Sequence, residues 1–180
     1  MRDALLFVDV VNDFEHEDGD RLLESFRSRH GGFVVALERA RADGLTLVYA
    51  NDTYGDWRGN GPALVQRALE GRGGELVEAI APSDDDCFVV KPRYSAFDHT
   101  PLALILRERR IERLLLGGMS TEGCVAQTTI DARERGFKVT VLAQACATID
   151  ERVEQVALEY LEQVVGAFVE SGFDLPVDKL

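Results

Sequence analysis

The chain is short of bases, cysteine, histidine and long apolar runs, and each shortage argues against a class of function. Lys and Arg number 20 against 32 Asp and Glu, a formal net charge of −12. Nucleic-acid binding needs a basic footprint that neutralises phosphates. A pI near 4.7 argues against it, and against docking on anionic lipid. The longest apolar runs, such as Ala4 to Val8 and Leu114 to Leu116, fall far short of the roughly 20 residues of a bilayer span. The start, Met1-Arg2-Asp3-Ala4, enters a strand-like run at once, which is unlike a signal peptide. The expectation is a soluble, cytoplasmic protein with no membrane or nucleic-acid partner. Cys87, Cys124 and Cys146 are odd in number and far apart, so they do not read as a disulfide framework. His16, His30 and His99 are scattered, without HxH or HExxH spacing, so no metal or other cofactor is expected.

What is present is an ordinary globular composition, 46% apolar and 29% charged. A length of 180 residues suits one domain, 1–180. The acidic excess is clustered. Residues 12–24 carry six acids and one Arg, Asp84-Asp85-Asp86 adds three, and residues 151–180 carry seven acids and two bases. These clusters read as solvated loops and helix faces; the alternative is one field that steers a cationic substrate.

Short apolar runs alternate with helical patterns. Ala4–Val8, Leu45–Ala50, Cys87–Val90, Arg113–Leu116 and Lys138–Leu142 are continuously apolar or nearly so, as in a parallel sheet covered on both faces. Helical patterns fall on 33–41, 63–69, 76–80, 101–109, 122–135 and 151–162, with Thr100 and Asp150 as N-caps. A last strand is expected within 164–169. The alternation predicts a three-layer α/β/α domain with right-handed crossovers. Its sheet is Rossmann-like, mostly parallel, of about five or six strands.

In such a sheet ligands collect at the carboxyl ends of the strands. Those ends carry Asp9, Asn51-Asp52, Lys91 and the segment Gly117 to Cys124. An acid, a base and a thiol therefore arrive at one edge from three strands. Cys124 lies in the first turn of a helix that begins near Thr121. The helix N-terminus favours a thiolate there, and its unpaired N–H groups suit a developing oxyanion. A neighbouring carboxylate takes the thiol proton and a Lys favours the charged forms.

These residues carry a resemblance. Asp9-Val10-Val11-Asn12-Asp13-Phe14 resembles the D-x-x-N-D-F opening of the isochorismatase-like superfamily. Lys91-Pro92-Arg93-Tyr94-Ser95-Ala96-Phe97 resembles its K-x-x-x-S-A-F segment, and Gly118 to Val125 its G-x-x-T-x-x-C-V turn. Asp131-Ala132 and Gly136 to Val139 match the helix and strand that follow. The resemblance implies a cysteine hydrolase of small amides or N-carbamoyl compounds, with Asp9, Lys91 and Cys124 as its triad. It also implies an oxyanion hole of the Ser120 and Cys124 backbone N–H groups, a cis peptide at Met119-Ser120, and a homodimer or homotetramer. Nicotinamidases of this family carry a metal-binding D-x-H, where this chain reads Asp52-Thr53-Tyr54; a metal-independent activity is expected. True isochorismatases replace the cysteine. Family members often have an acid where Gln144 stands. Phe14, Asn51, Tyr54, Trp57, Tyr94 and Phe97 are candidate pocket residues, and Arg58 and Arg93 candidate partners of a substrate carboxylate. Specificity is expected from loops at 15–31 and 53–75, and Cys87 and Cys146 read as structural. The rival readings are hydrolysis of a non-amide and a catalytically silent or redox-responsive thiol protein.

Overall fold

The computed structural model describes residues 2–56 and 60–172. Six strands form one sheet in the order β3-β2-β1-β4-β5-β6. They are β1 Asp3–Val8, β2 Thr46–Asp52, β3 Cys87–Lys91, β4 Arg113–Met119, β5 Lys138–Ala147 and β6 Phe168–Glu170. Every neighbouring pair is parallel. The chain winds outward from β1 to β3, then returns to β4 on the other side of β1. That reversal opens a crevice between the carboxyl ends of β1 and β4.

The helices are α1 Gly19–Ala42, α2 Gly61–Glu70, α3 Gly74–Glu78, α4 Leu102–Glu108, α5 Ala126–Glu134 and α6 Glu151–Tyr160. A π-helical turn, Thr121–Val125, leads into α5, and another, Leu161–Val165, extends α6. Strand residues alternate between two apolar clusters. Leu5, Phe7, Leu47, Tyr49 and Leu115 meet residues of α1, α2 and α3. Ala4, Leu6, Val8, Val48, Leu114 and Leu116 meet residues of α4, α5 and α6. Both faces of the sheet are therefore covered, which is why its strands are apolar without interruption.

Three elements differ from the expected ones. Residues 19–42 form one helix, so most of the segment 15–31 is not a loop. Leu22, Leu23, Phe26, Phe33, Ala36, Leu37 and Ala40 are its buried stripe. Gly31-Gly32 interrupts that stripe in the sequence. Gly32 is there because α1 presses on β5: a Cβ at this position would lie 1.8 Å from the Gln144 carbonyl oxygen. β5 runs five residues beyond the expected end, through Ala143-Gln144-Ala145-Cys146-Ala147, which carries little strand propensity. Its register slips against β4, four residues of β5 standing against one of β4 between the pairs Leu116/Val141 and Gly118/Cys146. Val164 and Val165 belong to the turn extending α6. Gly166, at φ 75°, ends that turn, and the last strand starts at Phe168.

The caps follow local chemistry. Asn60 accepts the Ala63 N–H ahead of α2, and Asp150 accepts the Arg152 and Val153 N–H groups ahead of α6. Thr100 Oγ1 accepts the Leu102 N–H at 3.2 Å. Gln144, with no account in the sequence, donates from Nε2 to the Ser171 carbonyl and so holds the chain after β6.

Candidate active site

Asp9 follows the last residue of β1 and sits at φ 54°, in the left-handed region. That conformation, unusual outside glycine but tolerated by Asp, turns the side chain toward the crevice. Its Oδ1 accepts the Asp52 N–H at 2.8 Å. Lys91 ends β3 and is fully buried, not the solvated cation a lone Lys suggests. All three of its protons find acceptors. Lys91 Nζ lies 2.7 Å from Asp9 Oδ2, 2.9 Å from the Arg93 carbonyl and 3.5 Å from Cys124 Sγ. The acid, the ammonium and the thiol that the sequence places on three separate elements are thus one cluster.

The turn bearing Cys124 is tightly built. Gly118 lies at φ 143°, and a Cβ there would sit 2.1 Å from the Val8 carbonyl oxygen, so only glycine lets β4 run this close to β1. The Met119-Ser120 peptide is cis, at the position the resemblance pointed to. The Ser120 carbonyl accepts the Gly123 and Val125 N–H groups. The Val125 bond is the first i→i−5 rung of the π turn, and Cys124 stands just before it.

Burial dominates the electrostatics. It holds the Asp9 carboxyl above the usual carboxylate range, against the lowering effect of Lys91. Burial works against the Lys91 ammonium, but Asp9 and Cys124 outweigh it and keep Lys91 charged. The Cys124 thiol is pushed up, by burial first and the Asp9 carboxylate second, with Lys91 opposing. The helix N-terminus favours a thiolate, and burial and Asp9 work against it, toward the thiol.

The candidate pocket residues separate. Tyr54, at φ 53°, follows β2. As a residue it is 39% exposed, but its hydroxyl lies deep enough for burial, then Asp9, Cys124, Asp52 and Asp13, to raise its pKa. The phenol stays neutral beside the cluster, and the His16 ring stacks over it at 6.3 Å. Phe14 is fully buried and stacks on Phe26 in the α1 layer. Phe97, 5% exposed, stacks on Phe137 with the Arg135 guanidinium over its ring. Both rings pack inside their helical layers. Asn51 is spent on the backbone: its Oδ1 accepts the Val11 N–H and its Nδ2 donates to the Val11 carbonyl, so it fixes the segment after Asp9. Tyr94 is 71% exposed. Arg93 is exposed and donates to the Pro92 carbonyl. Trp57 and Arg58 lie outside the described residues.

Sequence reading missed the residues that hold the site. Asn12 Oδ1 accepts the Phe14 N–H at 2.7 Å. Asp13, counted with a solvated cluster, is 6% exposed and pairs with Arg67. Glu122 accepts the Thr148 hydroxyl and the Ile149 N–H. Polar residues inside otherwise loop-like motifs were the available signal.

The Asp52-Thr53-Tyr54 segment does not fit a metal. Asp52 Oδ1 accepts the Tyr54 N–H at 2.7 Å. Tyr54 is held as a neutral phenol, and metals prefer ionised or imidazole donors. Among the described residues no group of three His, Cys, Asp or Glu side chains converges.

Comparison with known proteins agrees with this architecture. The isochorismatase family protein YaaI of Bacillus subtilis is 30% identical over 164 residues, 91% of this chain and 91% of that protein. The crystal structure of nicotinamidase PncA from Bacillus subtilis superposes with a TM-score of 0.77 at 30% identity, covering 95% of this chain and 100% of that one. N-carbamoylsarcosine amidase from Thermoplasma acidophilum gives a TM-score of 0.71 at 31% identity, covering 94% and 96%. The family model of the isochorismatase domain matches residues 3–172, and the chain therefore belongs to the isochorismatase family of hydrolases.

Proposed function

We propose that this hydrolase is a metal-independent cysteine hydrolase that cleaves the C–N bond of a small amide or N-carbamoyl compound through a thioester. The observation that carries the reading is the buried Lys91 ammonium in contact with both the Asp9 carboxylate and the Cys124 sulfur. The amidase names of two structural relatives support the substrate class.

In this mechanism Cys124 attacks the carbonyl carbon as its proton passes to Asp9. A carboxylate whose pKa burial has raised is a stronger base than an ordinary one. The tetrahedral oxyanion forms against the backbone N–H groups of Ser120 and Cys124. Protonated Asp9 then gives its proton to the leaving nitrogen, the C–N bond breaks, and the acyl group remains on sulfur. Asp9 next takes a proton from water, which attacks the thioester, and returns that proton to the departing Cys124 sulfur, so that the acid leaves and the thiol and the carboxylate are restored. Lys91 stays protonated and offsets the charge that alternates between Asp9, the sulfur and the oxyanion.

Intact-mass spectrometry after incubation with a panel of small amides tests this. Turnover by the native chain with an acyl adduct on Cys124, and loss of both in Cys124→Ala, is the expected result. Turnover of a non-amide that survives Cys124→Ala would falsify the proposal, as would reversible oxidation of Cys124 with no turnover. The reading includes assembly as a homodimer or homotetramer, checked by light scattering.

A further inference from the structure

The turn that carries Cys124 is tied to an ion pair, buried at Glu154 and half-buried at Arg29, that the mechanism above does not use. Glu154 is only 5% exposed, on a helix whose neighbouring positions mostly face solvent. Arg29, from α1, grips it with two bonds, Nη1 to Oε1 at 2.6 Å and Nη2 to Oε2 at 2.7 Å. Arg29 Nη1 also reaches the Cys146 carbonyl at 3.3 Å. The second partner of Glu154 is Thr121, fully buried, whose hydroxyl lies 2.7 Å from Oε1 and 3.1 Å from the Ala147 carbonyl. Thr121 has one proton for two acceptors, and the charged, nearer oxygen is the stronger. Thr121 is the first residue of the π turn and stands three positions before Cys124.

Place in the fold explains why this connection matters. α1 belongs to one helical layer and α6 to the other. Arg29 and Glu154 join the two layers around the carboxyl edge of the sheet, and Thr121 hangs from the joint. The adjacent Glu122 is fixed in the same direction, to Thr148 and Ile149. Two consecutive side chains of the turn are thus anchored to the segment after β5. An ion pair with one buried end is a poor means of stabilisation, because desolvation of that end offsets much of its attraction and apolar replacements are often as stable. Its orientational effect has no apolar substitute.

We infer that Glu154, held by Arg29, is a positioning residue for the nucleophile turn: through the Thr121 hydroxyl it fixes the backbone that presents the Cys124 sulfur and the oxyanion-binding N–H groups. The inference rests on the hydrolase reading for its kinetic consequence but not for its structural one. Misplacing a reacting group by about 1 Å costs about 100-fold in rate. A lost transition-state contact lowers kcat while leaving KM nearly unchanged.

The experiment compares Thr121→Val, Thr121→Ser and the apolar double variant Arg29→Met/Glu154→Leu. It measures kcat, KM and melting temperature, with hydrogen exchange of the amides in residues 119–126. The expected result is a kcat lower by about 10- to 100-fold in Thr121→Val and in the double variant, with KM within about twofold. Melting temperature is unchanged, and Thr121→Ser, which keeps the hydroxyl, restores the rate. Unchanged kcat in Thr121→Val, or a loss that only tracks melting temperature, overturns the proposal. Thr121→Val keeps the ion pair and carries the test if the double variant does not fold. If the native chain turns over no amide, the hydrolase reading fails on its own and exchange decides this one. Faster exchange over 119–126 in Thr121→Val at unchanged melting temperature supports it, and unchanged exchange overturns it.

Discussion

At the scale of single residues, the Cys124 thiol has two neighbours of opposite effect. The Asp9 carboxylate raises its pKa and the Lys91 ammonium lowers it. Alkylation by iodoacetamide reads the thiolate fraction directly. Asp9→Asn removes the group that disfavours the thiolate, so alkylation at fixed pH should be faster than in the native chain. Lys91→Gln removes the group that favours it, so alkylation should be slower. Equal shifts of the same sign in both variants would mean that only burial sets the thiol. Catalysis should show the reverse pattern for Asp9, since a faster-alkylating Asp9→Asn has no base. The identities of these three residues were legible, because chemical type at a strand end is written in the sequence. Their protonation states were not.

At the scale of elements, two adjacent glycines in α1 make a paired test. Gly31 is exposed and a Cβ there meets nothing within 4 Å. Gly31→Ala should stabilise the chain by roughly 0.5–1 kcal/mol, the helix-interior cost of glycine. Gly32→Ala should destabilise it by about 1–3 kcal/mol, because the methyl group displaces α1 from β5. Urea denaturation measures both, and the two changes must differ in sign. Asp150 gives a pH-dependent counterpart. Its carboxylate accepts two N–H bonds at the start of α6, which hold its pKa below the ordinary 3.8. The stabilisation is present above that value and is lost as pH falls through the lower, folded-state pKa. Asp150→Ala should therefore lower the melting temperature at pH 7, with a gap that closes in acid. The Asp150 cap and the strand runs were readable, since they depend on neighbours in sequence, whereas Thr100 stands one residue ahead of the α4 N-cap, Pro101. α1 was half missed. Its apolar stripe is broken by Gly31-Gly32, and the reason for Gly32 is a strand more than a hundred residues away.

At the scale of the whole molecule, the net charge of −12 takes on a different meaning. Each acidic cluster sends one acid inward to an arginine: Asp13 to Arg67, Asp86 to Arg41, Glu154 to Arg29. The remaining acids of the first cluster, Glu15, Glu17, Asp18, Asp20 and Glu24, are exposed or partly so, as a solvated face requires. Among the described residues no helix is long and apolar enough to cross a membrane. One sheet runs through both apolar clusters, so the chain should unfold as one unit. Near- and far-ultraviolet circular dichroism should lose signal in coincident urea transitions. Two separated transitions would show that 1–180 holds more than one cooperative domain.

The sequence alone determined the parallel, doubly covered sheet, because uninterrupted apolar strands have no other stable environment. It also determined which chemical groups stand at the strand ends, since each strand end follows directly from its apolar run. Only the tertiary structure decided what those groups are. Burial shifts Asp9 and Cys124 away from their ordinary proton affinities. Contacts between distant segments select Arg29, Glu154 and Thr121 from a chain rich in similar residues. Both effects depend on which atoms exclude water and meet across the fold, and neither is carried by any local run of the chain.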